Sequence, residues 1–275
     1  MDFGLQPKEQ ELLDLLENSD SQLIGFGGAR GGAKSHAARS CAVIRRIQHP
    51  GTNAMVFRKT YPSLWTTHIQ RIMVEWPELY TKYWSAENKG LMLPGNSNVL
   101  FRYADTLADV MQMRGNEYAE IYIDEATDET EEELKIMYSC CRSTVPGFKA
   151  KKVLTFNPGG VGHAYVKRVF IDGNVTPEEA AQKPRFIQSF AFDNILWAVD
   201  PLRKDGVLMA EYQAWPDAKK MKYLVERTDY GRELDALPKE LREAWLIGSW
   251  DTHAGSYFDC WNASTMVEDM VELAA

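Results

Sequence analysis

The sequence is poor in cysteine and in long apolar runs. Its four cysteines, Cys41, Cys140, Cys141 and Cys260, show no CxxC spacing, so we expect reduced thiols rather than a disulfide frame or a zinc site. No run of about 18 apolar residues occurs, which argues against a membrane protein. Met1 leads into acidic and polar residues, so we expect no signal peptide. The 275 residues, 45% of them hydrophobic, exclude a disordered chain and suit one large domain or slightly more.

Acidic residues outnumber basic ones, but the two signs are segregated along the chain. The formal net charge of −8 by itself argues against a nucleic-acid partner. Residues 21–74, however, hold eight basic and no acidic residues, residues 105–135 hold two basic and eleven acidic ones, and residues 136–171 hold six basic and none acidic. Because the local field decides what a surface attracts, this distribution leaves DNA binding open and predicts contact through a restricted basic surface.

Apolar patterns predict strands that alternate with helices. Helical spacing covers residues 7–18, 34–47, 63–75 and 129–137. Strand patterns cover residues 22–26, 53–57, 98–103, 119–123 and 152–156, with 185–190 as one more. This alternation predicts an α/β fold, a mainly parallel sheet with helices on both faces. Polar helical segments interrupted by prolines follow, so we predict a main α/β domain over residues 1–195 and a helical linker subdomain over residues 196–275.

A glycine-rich segment follows the first predicted strand and opens a predicted helix. Residues 27–35 read Gly-Gly-Ala-Arg-Gly-Gly-Ala-Lys-Ser, which is typical of a P-loop. Backbone N–H groups of such a loop surround phosphates, the lysine reaches the β- and γ-phosphates of ATP, and the hydroxyl binds Mg²⁺. The predicted ATP-binding residues are therefore Gly28, Ala29, Arg30, Gly31, Gly32, Ala33, Lys34 and Ser35, and Lys34 is also a candidate catalytic residue.

Ala33 departs from the usual P-loop pattern, which has glycine there. Because alanine disfavours positive φ, we expect this position to have a negative φ. The alternative is a strand–helix turn without a ligand. Lys34 and Ser35 at the helix start make that alternative the weaker one.

A second motif, Ile-Tyr-Ile-Asp-Glu at residues 121–125, is an apolar strand that ends in two carboxylates. Asp124 is placed to hold Mg²⁺, and Glu125 to orient and deprotonate the attacking water. A solvated acidic helix start is the alternative. Arg30 would stabilise charge on the γ-phosphate unless it pairs with a surface carboxylate. Asn157 would sense that phosphate or the water, unless it only forms an Asn-Pro turn.

The ordered set of motifs resembles one family, the large terminase subunit of tailed bacteriophages. The matching segments lie at residues 27–35, 57–64, 113–115, 121–126, 155–160, 162–163, 193–194 and 237–251. The resemblance implies a P-loop NTPase fold of the ASCE (RecA-like) type. It also implies that ATP and Mg²⁺ bind at Lys34, Ser35 and Asp124, and that Arg30 acts as an arginine finger in cis.

The resemblance assigns further roles. The catalytic carboxylate falls on Glu125, a coupling motif on Thr155, Phe156 and Asn157, and a glutamine that recognises adenine on Gln10. The family continues into a nuclease domain. We expect no nuclease activity from this chain, and we interpret Asp251 and Asp259 as linker residues, not metal ligands.

The resemblance also implies partners. They are double-stranded DNA, a portal protein, a small terminase subunit and further copies of the chain in a ring, expected to be a pentamer, with no membrane. The implied location is the host cytoplasm and, transiently, the portal vertex of the procapsid. A neighbouring subunit would supply a trans arginine, for which Arg58, Arg71, Arg102 and Arg114 are equal candidates. The basic stretch 142–168 would face DNA or a neighbour, unless it is an ordinary solvated surface.

The predicted function is thus that of an ATP-hydrolysing motor that moves double-stranded DNA into a procapsid. Two alternatives stay open. One is a nucleotide-binding assembly module with little hydrolysis of its own. The other is a helicase-like ATPase, although residues 172–275 are too few and too helical for the second RecA-like domain that a helicase needs.

Overall fold

The computed structural model describes residues 3–251. Asp259, Cys260 and the rest of the predicted linker beyond residue 251 lie outside the described residues. Within them, the sheet has the strand order β3-β4-β5-β2-β6-β7-β1-β8. The strands are β1 (Leu23–Gly28), β2 (Asn53–Arg58), β3 (Trp84–Ser85), β4 (Gly90–Leu93), β5 (Ser97–Tyr103), β6 (Glu120–Ile123), β7 (Lys151–Phe156) and β8 (Arg185–Ser189).

The sheet is parallel across the six strands β1, β2, β5, β6, β7 and β8. Strands β3 and β4 form an antiparallel hairpin beside β5. The predicted α/β class with a mainly parallel sheet is therefore confirmed. The sequence patterns did not reveal the hairpin, because strands of two and four residues are too short to show an alternation.

The helices fill the connections between strands and then the whole region after β8. They are α1 (Pro7–Asn18), α2 (Lys34–Gln48), α3 (Tyr61–Leu64), α4 (Gln70–Glu75), α5 (Pro77–Tyr83), α6 (Leu107–Gln112), α7 (Glu131–Ser139), α8 (His163–Val166), α9 (Pro177–Ala181), α10 (Val199–Asp205), α11 (Met209–Ala214), α12 (Asp217–Arg227), α13 (Asp229–Asp235) and α14 (Lys239–Arg242). Single π-helical turns at Trp65–Ile69, Lys167–Ile171 and Glu243–Ile247 continue α3, α8 and α14. No helix in residues 3–251 is both long and apolar enough to cross a membrane.

Both faces of the sheet are covered by helices. One core joins apolar side chains of α1, α2, α4 and α5 to the sheet, as Leu12 and Ile72 illustrate. The other core joins α6, α7 and α8 to the opposite face, with Leu134 and Val166 at its centre. Trp76 is buried, and Trp65 and Trp84 pack on the first core, so these tryptophans contribute to packing.

The region after β8 packs on itself as well as on the sheet. Its apolar residues form two small clusters, one around Phe192, Leu224 and Leu246 and one around Leu202 and Tyr212. The first cluster begins at Ala191, a few residues before the predicted boundary at residue 195. That boundary remains a prediction.

The segregated charges pair with one another inside the fold. The buried Glu120 accepts from Arg45 Nε at 2.6 Å and lies 3.0 Å from Arg46 Nη2. Lys59 Nζ lies 2.8 Å from the Glu129 carboxylate. Lys59 Nζ also lies 3.2 Å from the carboxylate of Glu133. Through Glu120 and Glu133, the basic segment 21–74 thus neutralises part of the acidic segment 105–135 and leaves less of a basic surface than the sequence predicts.

Most basic side chains of the stretch 142–168 are likewise buried or paired with other groups of the chain. Lys151 and Lys152 are buried, the first bound to backbone carbonyls and the second to Gln182. Arg168 pairs with Glu179 at 2.8 Å. The exposed cations Arg142 and Lys149 remain for a DNA or neighbour contact, and Arg142 is also paired with a carboxylate, that of Glu117. The structure therefore shows no continuous basic surface over residues 142–168.

Candidate active site

The predicted motifs meet at one edge of the sheet because β1, β6 and β7 are parallel and end there together. The P-loop follows β1, Asp124 and Glu125 follow β6, and Asn157 follows β7. In α/β sheets of this kind, ligands bind outside the carboxyl ends of the strands. The fold therefore brings together, at one edge, three segments that are widely separated along the chain.

The P-loop forms a closed turn at the start of α2. Lys34 is buried, and its Nζ donates a short hydrogen bond to the Ala29 carbonyl oxygen. Burial lowers the pKa of Lys34 to about 8, although the nearby carboxylates of Asp124 and Glu125 favour its charged form. Lys34 also lines the cavity at this edge of the sheet.

Ala33 has φ +60° and ψ +19°, so the expectation of a negative φ is wrong. The left-handed conformation costs a residue with a side chain about 1 kcal/mol relative to glycine. The surrounding loop imposes that conformation, since Ala33 immediately precedes Lys34 at the helix start and its carbonyl accepts from Ala37 N at 3.0 Å. The P-loop therefore forms its closed turn with alanine in the place of the usual glycine.

Asp124 is the most strongly bound carboxylate of the site. It accepts hydrogen bonds from Ser35 Oγ at 3.0 Å, from His68 Nε2 at 3.0 Å and from Thr155 Oγ1. Burial alone would raise its pKa, but His68, the Arg58 guanidinium and Thr155 outweigh burial and hold the pKa of Asp124 below its ordinary value. Asp124 is thus an anion at neutral pH.

The residues present fit a magnesium ion. Ser35 Oγ and Asp124 Oδ1 are hard oxygen donors 3.0 Å apart, and Mg²⁺ bound with nucleotides takes one or two protein oxygens, with phosphates and water completing its shell. In residues 3–251 no group of three or more His, Cys, Asp or Glu side chains is placed to hold a metal ion.

Glu125 lies beside Asp124 with its carboxylate open to the cavity. Its side chain is 37% exposed, and its backbone adopts φ +57° and ψ +52°. Arg58 Nη2 lies 2.6 Å from Glu125 Oε2. The sequence did not single out this pairing, because Arg58 and Glu125 meet only through the pairing of β2 with β6.

The three coupling residues have distinct neighbours. Thr155 Oγ1 binds Asp124 and also accepts from the Glu125 backbone N–H at 3.3 Å. Phe156 is fully buried, with its ring 5.6 Å from that of Trp250. Asn157 lines the cavity, and its buried Oδ1 has no hydrogen-bond partner in the described structure. The segment connects the two carboxylates to the cavity and to the end of the helical region.

Arg30 packs against a tryptophan of the helical region, and its role at the γ-phosphate stays a prediction. Its guanidinium Cζ lies 3.4 Å from the centre of the Trp245 ring, and its backbone N–H donates to the Trp245 carbonyl at 2.7 Å. This is the geometry of a cation–π contact. Arg30 also lines the opening that contains Glu125 and Asn157, so its side chain lies within the site.

The cavity at this edge measures about 1080 Å³. Its wall includes residues 30–35 of the P-loop and, from elsewhere, Phe3, Gln6, His36, Arg39, Arg71, Trp76, Glu125, Asn157, Asn194, Trp197 and Tyr230. Gln10 is not part of this wall. It is exposed, and its amide donates to the Leu5 carbonyl at 3.2 Å.

Gln6, one turn earlier than Gln10, is buried at the cavity. Its Nε2 donates to Asn194 Oδ1 at 3.0 Å, and its Oε1 accepts from the Ile195 backbone N–H at 2.7 Å. The sequence offered no basis to prefer Gln6, since its partners lie far away along the chain. The structure thus places Gln6, and not Gln10, beside the P-loop.

The helical region is bound directly to the backbone of the P-loop. The Gly31 carbonyl accepts from Asn194 Nδ2 and Trp197 Nε1, both at 3.0 Å. Gly31 has φ +81°, and a Cβ there would lie 2.4 Å from the Tyr230 ring, so only glycine fits. The conformation of the P-loop is therefore set partly by residues that follow β8.

Comparisons with known proteins agree with this geometry. A family model described as phage terminase large subunit matches residues 21–206. No curated protein matches the chain. Among solved structures, the large terminase of a thermophilic bacteriophage is similar, with a TM-score of 0.59 and 13% identity over 89% of this chain and 53% of that one.

The same thermophilic-phage terminase in complex with ADP has an equal TM-score at 14% identity, over 90% of this chain and 54% of that one. Its complex with ATP-γ-S has a TM-score of 0.58 at 13% identity, over 89% of this chain and 52% of that one. This chain spans about half the length of that terminase, and the likeness shows a shared fold. The family match covers well over half of the chain and confirms the resemblance seen in the motifs. The chain belongs to the phage terminase large subunit family.

Proposed function

We propose that this chain is an ATP-hydrolysing motor domain that couples hydrolysis to the translocation of double-stranded DNA into a procapsid. The observation that carries the proposal is the meeting of Lys34, Ser35, Asp124 and Glu125 at one sheet edge, with Ser35 Oγ 3.0 Å from Asp124. The large terminase of the thermophilic bacteriophage, which shares the fold, has been solved with ADP and with ATP-γ-S.

Each residue has a defined task in this mechanism. The N–H groups of the P-loop and Lys34 bind the phosphates, and Ser35 and Asp124 hold Mg²⁺. When bound, the ion neutralises charge on the β- and γ-phosphates. Glu125, exposed to the cavity, orients the attacking water and accepts its proton. Arg30 leaves Trp245 and stabilises the negative charge that develops on the γ-phosphate.

Recognition of the base is assigned to Gln6 instead of Gln10. An amide side chain has both a donor and an acceptor and so matches the edge of adenine. Gln6 lines the cavity together with Phe3, whose partly buried ring supplies an apolar surface for a base. The Gln10 amide binds the Leu5 carbonyl outside this cavity.

Among the candidate trans arginines, the structure favours Arg114. Arg58 is buried against the carboxylates of its own chain, and Arg71 lines its own cavity. Arg102 donates to the carbonyls of Asn88 and Phe101. Arg114 is exposed in the turn Met113–Gly115, so it is available to a neighbouring subunit.

The remaining partners follow from family membership alone and belong to the proposal. They are the portal protein, the small terminase subunit, a homo-oligomeric ring with five copies, and a location in the host cytoplasm and at the procapsid portal vertex. The described region after β8 contains no strand, so it gives no support to a helicase with a second sheet.

Phosphate release measured for the parent chain and for Glu125→Gln tests the catalytic assignment. We expect the variant to lose about 100-fold or more in turnover while it still binds ATPγS. Equal turnover of parent and variant would remove Glu125 from the mechanism.

The dependence of the parent rate on protein concentration tests assembly. A steep rise that Arg114→Ala abolishes supports a trans arginine. Tight ATPγS binding with no hydrolysis at any concentration would instead favour the assembly module.

A further inference from the structure

His68 is a fully buried histidine that contacts a carboxylate of the site. It lies in the π-helical turn Trp65–Ile69, and its Nε2 is 3.0 Å from Asp124 Oδ2. An ionised carboxylate only accepts hydrogen bonds, so Nε2 carries the hydrogen and donates it to Asp124. Single π turns recur at functional sites, and this one supplies a direct contact to a proposed magnesium ligand.

The two carboxylate oxygens of Asp124 have different partners. Oδ1 accepts from Ser35 Oγ at 3.0 Å and from Thr155 Oγ1, whereas Oδ2 accepts from His68. Arg58 Nη1 is 3.5 Å from Oδ2, which is longer than a usual hydrogen bond. The terminal torsion of an aspartate side chain is broad, so a carboxylate without a partner on one oxygen is free to rotate. His68 thus fixes the rotation that turns Oδ1 towards Ser35.

The turn that carries His68 is itself bound to the start of α2. Arg39 is buried, and its Nη1 donates to the carbonyl oxygens of Ser35 at 3.3 Å and of Thr67 at 3.2 Å. The contacts therefore close a circuit from Ser35 through Asp124, His68 and Arg39 back to Ser35. Both oxygens proposed to bind Mg²⁺ belong to this circuit, so the placement of each depends on the other members.

Packing alone does not account for an imidazole at this position. Its Nδ1 is buried and has no hydrogen-bond partner among the described residues. The ring centre lies 6.5 Å from that of Phe101, a residue of the first core. An unpartnered buried polar atom lowers stability, and an apolar side chain would avoid that cost. Departures of this kind from good packing are expected at functional sites.

We propose that His68 is a positioning residue of the magnesium site, which holds Asp124 Oδ2 so that Oδ1 stays beside Ser35 Oγ. This inference rests on the proposed function, in which Ser35 and Asp124 bind Mg²⁺. It requires that loss of the His68 contact lowers the affinity for Mg²⁺ in the nucleotide complex. Nucleotide binding without the metal should be unchanged, because His68 is not part of the described wall of the cavity.

The test measures ATPγS binding across a range of Mg²⁺ concentrations and in EDTA for the parent, His68→Gln and His68→Asn. Both variants place an amide in the same buried position, but only glutamine is long enough for its N–H to reach Asp124 Oδ2. For His68→Asn we expect the half-saturating Mg²⁺ concentration to rise about 10- to 100-fold, the usual effect of losing a group that orients a metal ligand. The rise should be smaller for His68→Gln, and the Kd of ATPγS in EDTA should match that of the parent in both.

His49→Gln is the matched control. It makes the same substitution just after the last residue of α2, where His49 Nε2 lies 3.1 Å from the Glu17 carboxylate. Its response to Mg²⁺ should be that of the parent. If His68→Asn does not fold, His68→Leu replaces it, because leucine also lacks the donor and leaves no unpartnered polar atom. The same rise in the half-saturating Mg²⁺ concentration is expected for His68→Leu.

A crystal structure of metal-free His68→Asn gives a readout apart from nucleotide binding. The Asp124 carboxylate should have rotated, so that Oδ1 is no longer within hydrogen-bond distance of Ser35 Oγ. An equal Mg²⁺ response of His68→Gln and His68→Asn would overturn the inference. So would a loss of ATPγS affinity by the same factor with Mg²⁺ and in EDTA, since His68 would then only stabilise the P-loop.

Asp124→Asn distinguishes failure of this inference from failure of the proposed function. If Asp124→Asn binds ATPγS with the Mg²⁺ dependence of the parent, the metal assignment in the proposed function is wrong, and the inference falls with it. If Asp124→Asn loses that dependence while His68→Asn keeps it unchanged, only the role of His68 is refuted.

Discussion

Replacement of Trp245 by leucine should tighten the binding of ATPγS, not weaken it. The Arg30 guanidinium lies 3.4 Å from the centre of the Trp245 ring, and it must leave this contact to reach a γ-phosphate. A cation–π contact at a partly exposed site contributes about 1 kcal/mol. Trp245→Leu keeps an apolar side chain in the Phe192 cluster but removes the aromatic face, so the cost of moving Arg30 falls by that amount.

About 1 kcal/mol corresponds to a roughly fivefold lower Kd. The assay is equilibrium titration with ATPγS and, in parallel, with ADP. Only ATPγS carries a γ-phosphate, so only its affinity should change.

The control is the same substitution in the Arg30→Ala chain, where it should have no effect on either nucleotide. Equal tightening of ATPγS and ADP, or weaker ATPγS binding in Trp245→Leu, would refute the reasoning. The backbone hydrogen bond from the N–H of residue 30 to the carbonyl of residue 245 involves no side chain, so every variant can retain it.

Substitutions at three further positions test what stabilises the fold and the P-loop. Glu120→Ala leaves the buried Arg46 without its carboxylate and Arg45 with Glu17 alone, and it should lower the free energy of unfolding in denaturant by about 3–5 kcal/mol, with a smaller loss for Glu120→Gln. Ala33→Val should destabilise the chain and impair ATPγS binding, because a β-branched residue does not tolerate φ +60°, whereas Ala33→Gly should bind ATPγS as the parent does. Burial raises the pKa of Glu129 from 4.5 to about 7, so the folded chain retains a proton that the unfolded chain releases. The free energy of unfolding should therefore fall by about 1–3 kcal/mol between about pH 5 and pH 8 relative to Glu129→Gln, and parallel pH profiles for the two chains would contradict this.

The sequence predicted well what lies close together along the chain. The P-loop and the Asp124–Glu125 pair are contiguous motifs, and the strands before them are apolar runs. The sheet class follows from their alternation with helices. These features depend on local patterns, so a single sequence is sufficient to recognise them.

What the sequence did not predict depends on contacts between distant segments. Arg58 reaches Glu125 only because β2 pairs with β6, and Gln6 is held at the cavity through Asn194. The positive φ of Ala33 follows from the closed loop and contradicts the intrinsic preference of alanine. The paired charge segments show the same limit, because a sequence gives the sign of each segment but not its partner.

The hydrogen bonds from Asn194 and Trp197 to the Gly31 carbonyl have a mechanical consequence. They make the docking of the helical region and the shape of the P-loop one coupled equilibrium. Coupling of this kind is reciprocal in free energy. If nucleotide binding shifts this docking equilibrium, then undocking of the helical region, for example by a pulling force, must change nucleotide affinity by the same free energy. If the chain works as the proposed DNA motor, a load that pulls on the helical region would thus act on nucleotide affinity at the P-loop and slow the ATP cycle as the opposing force rises.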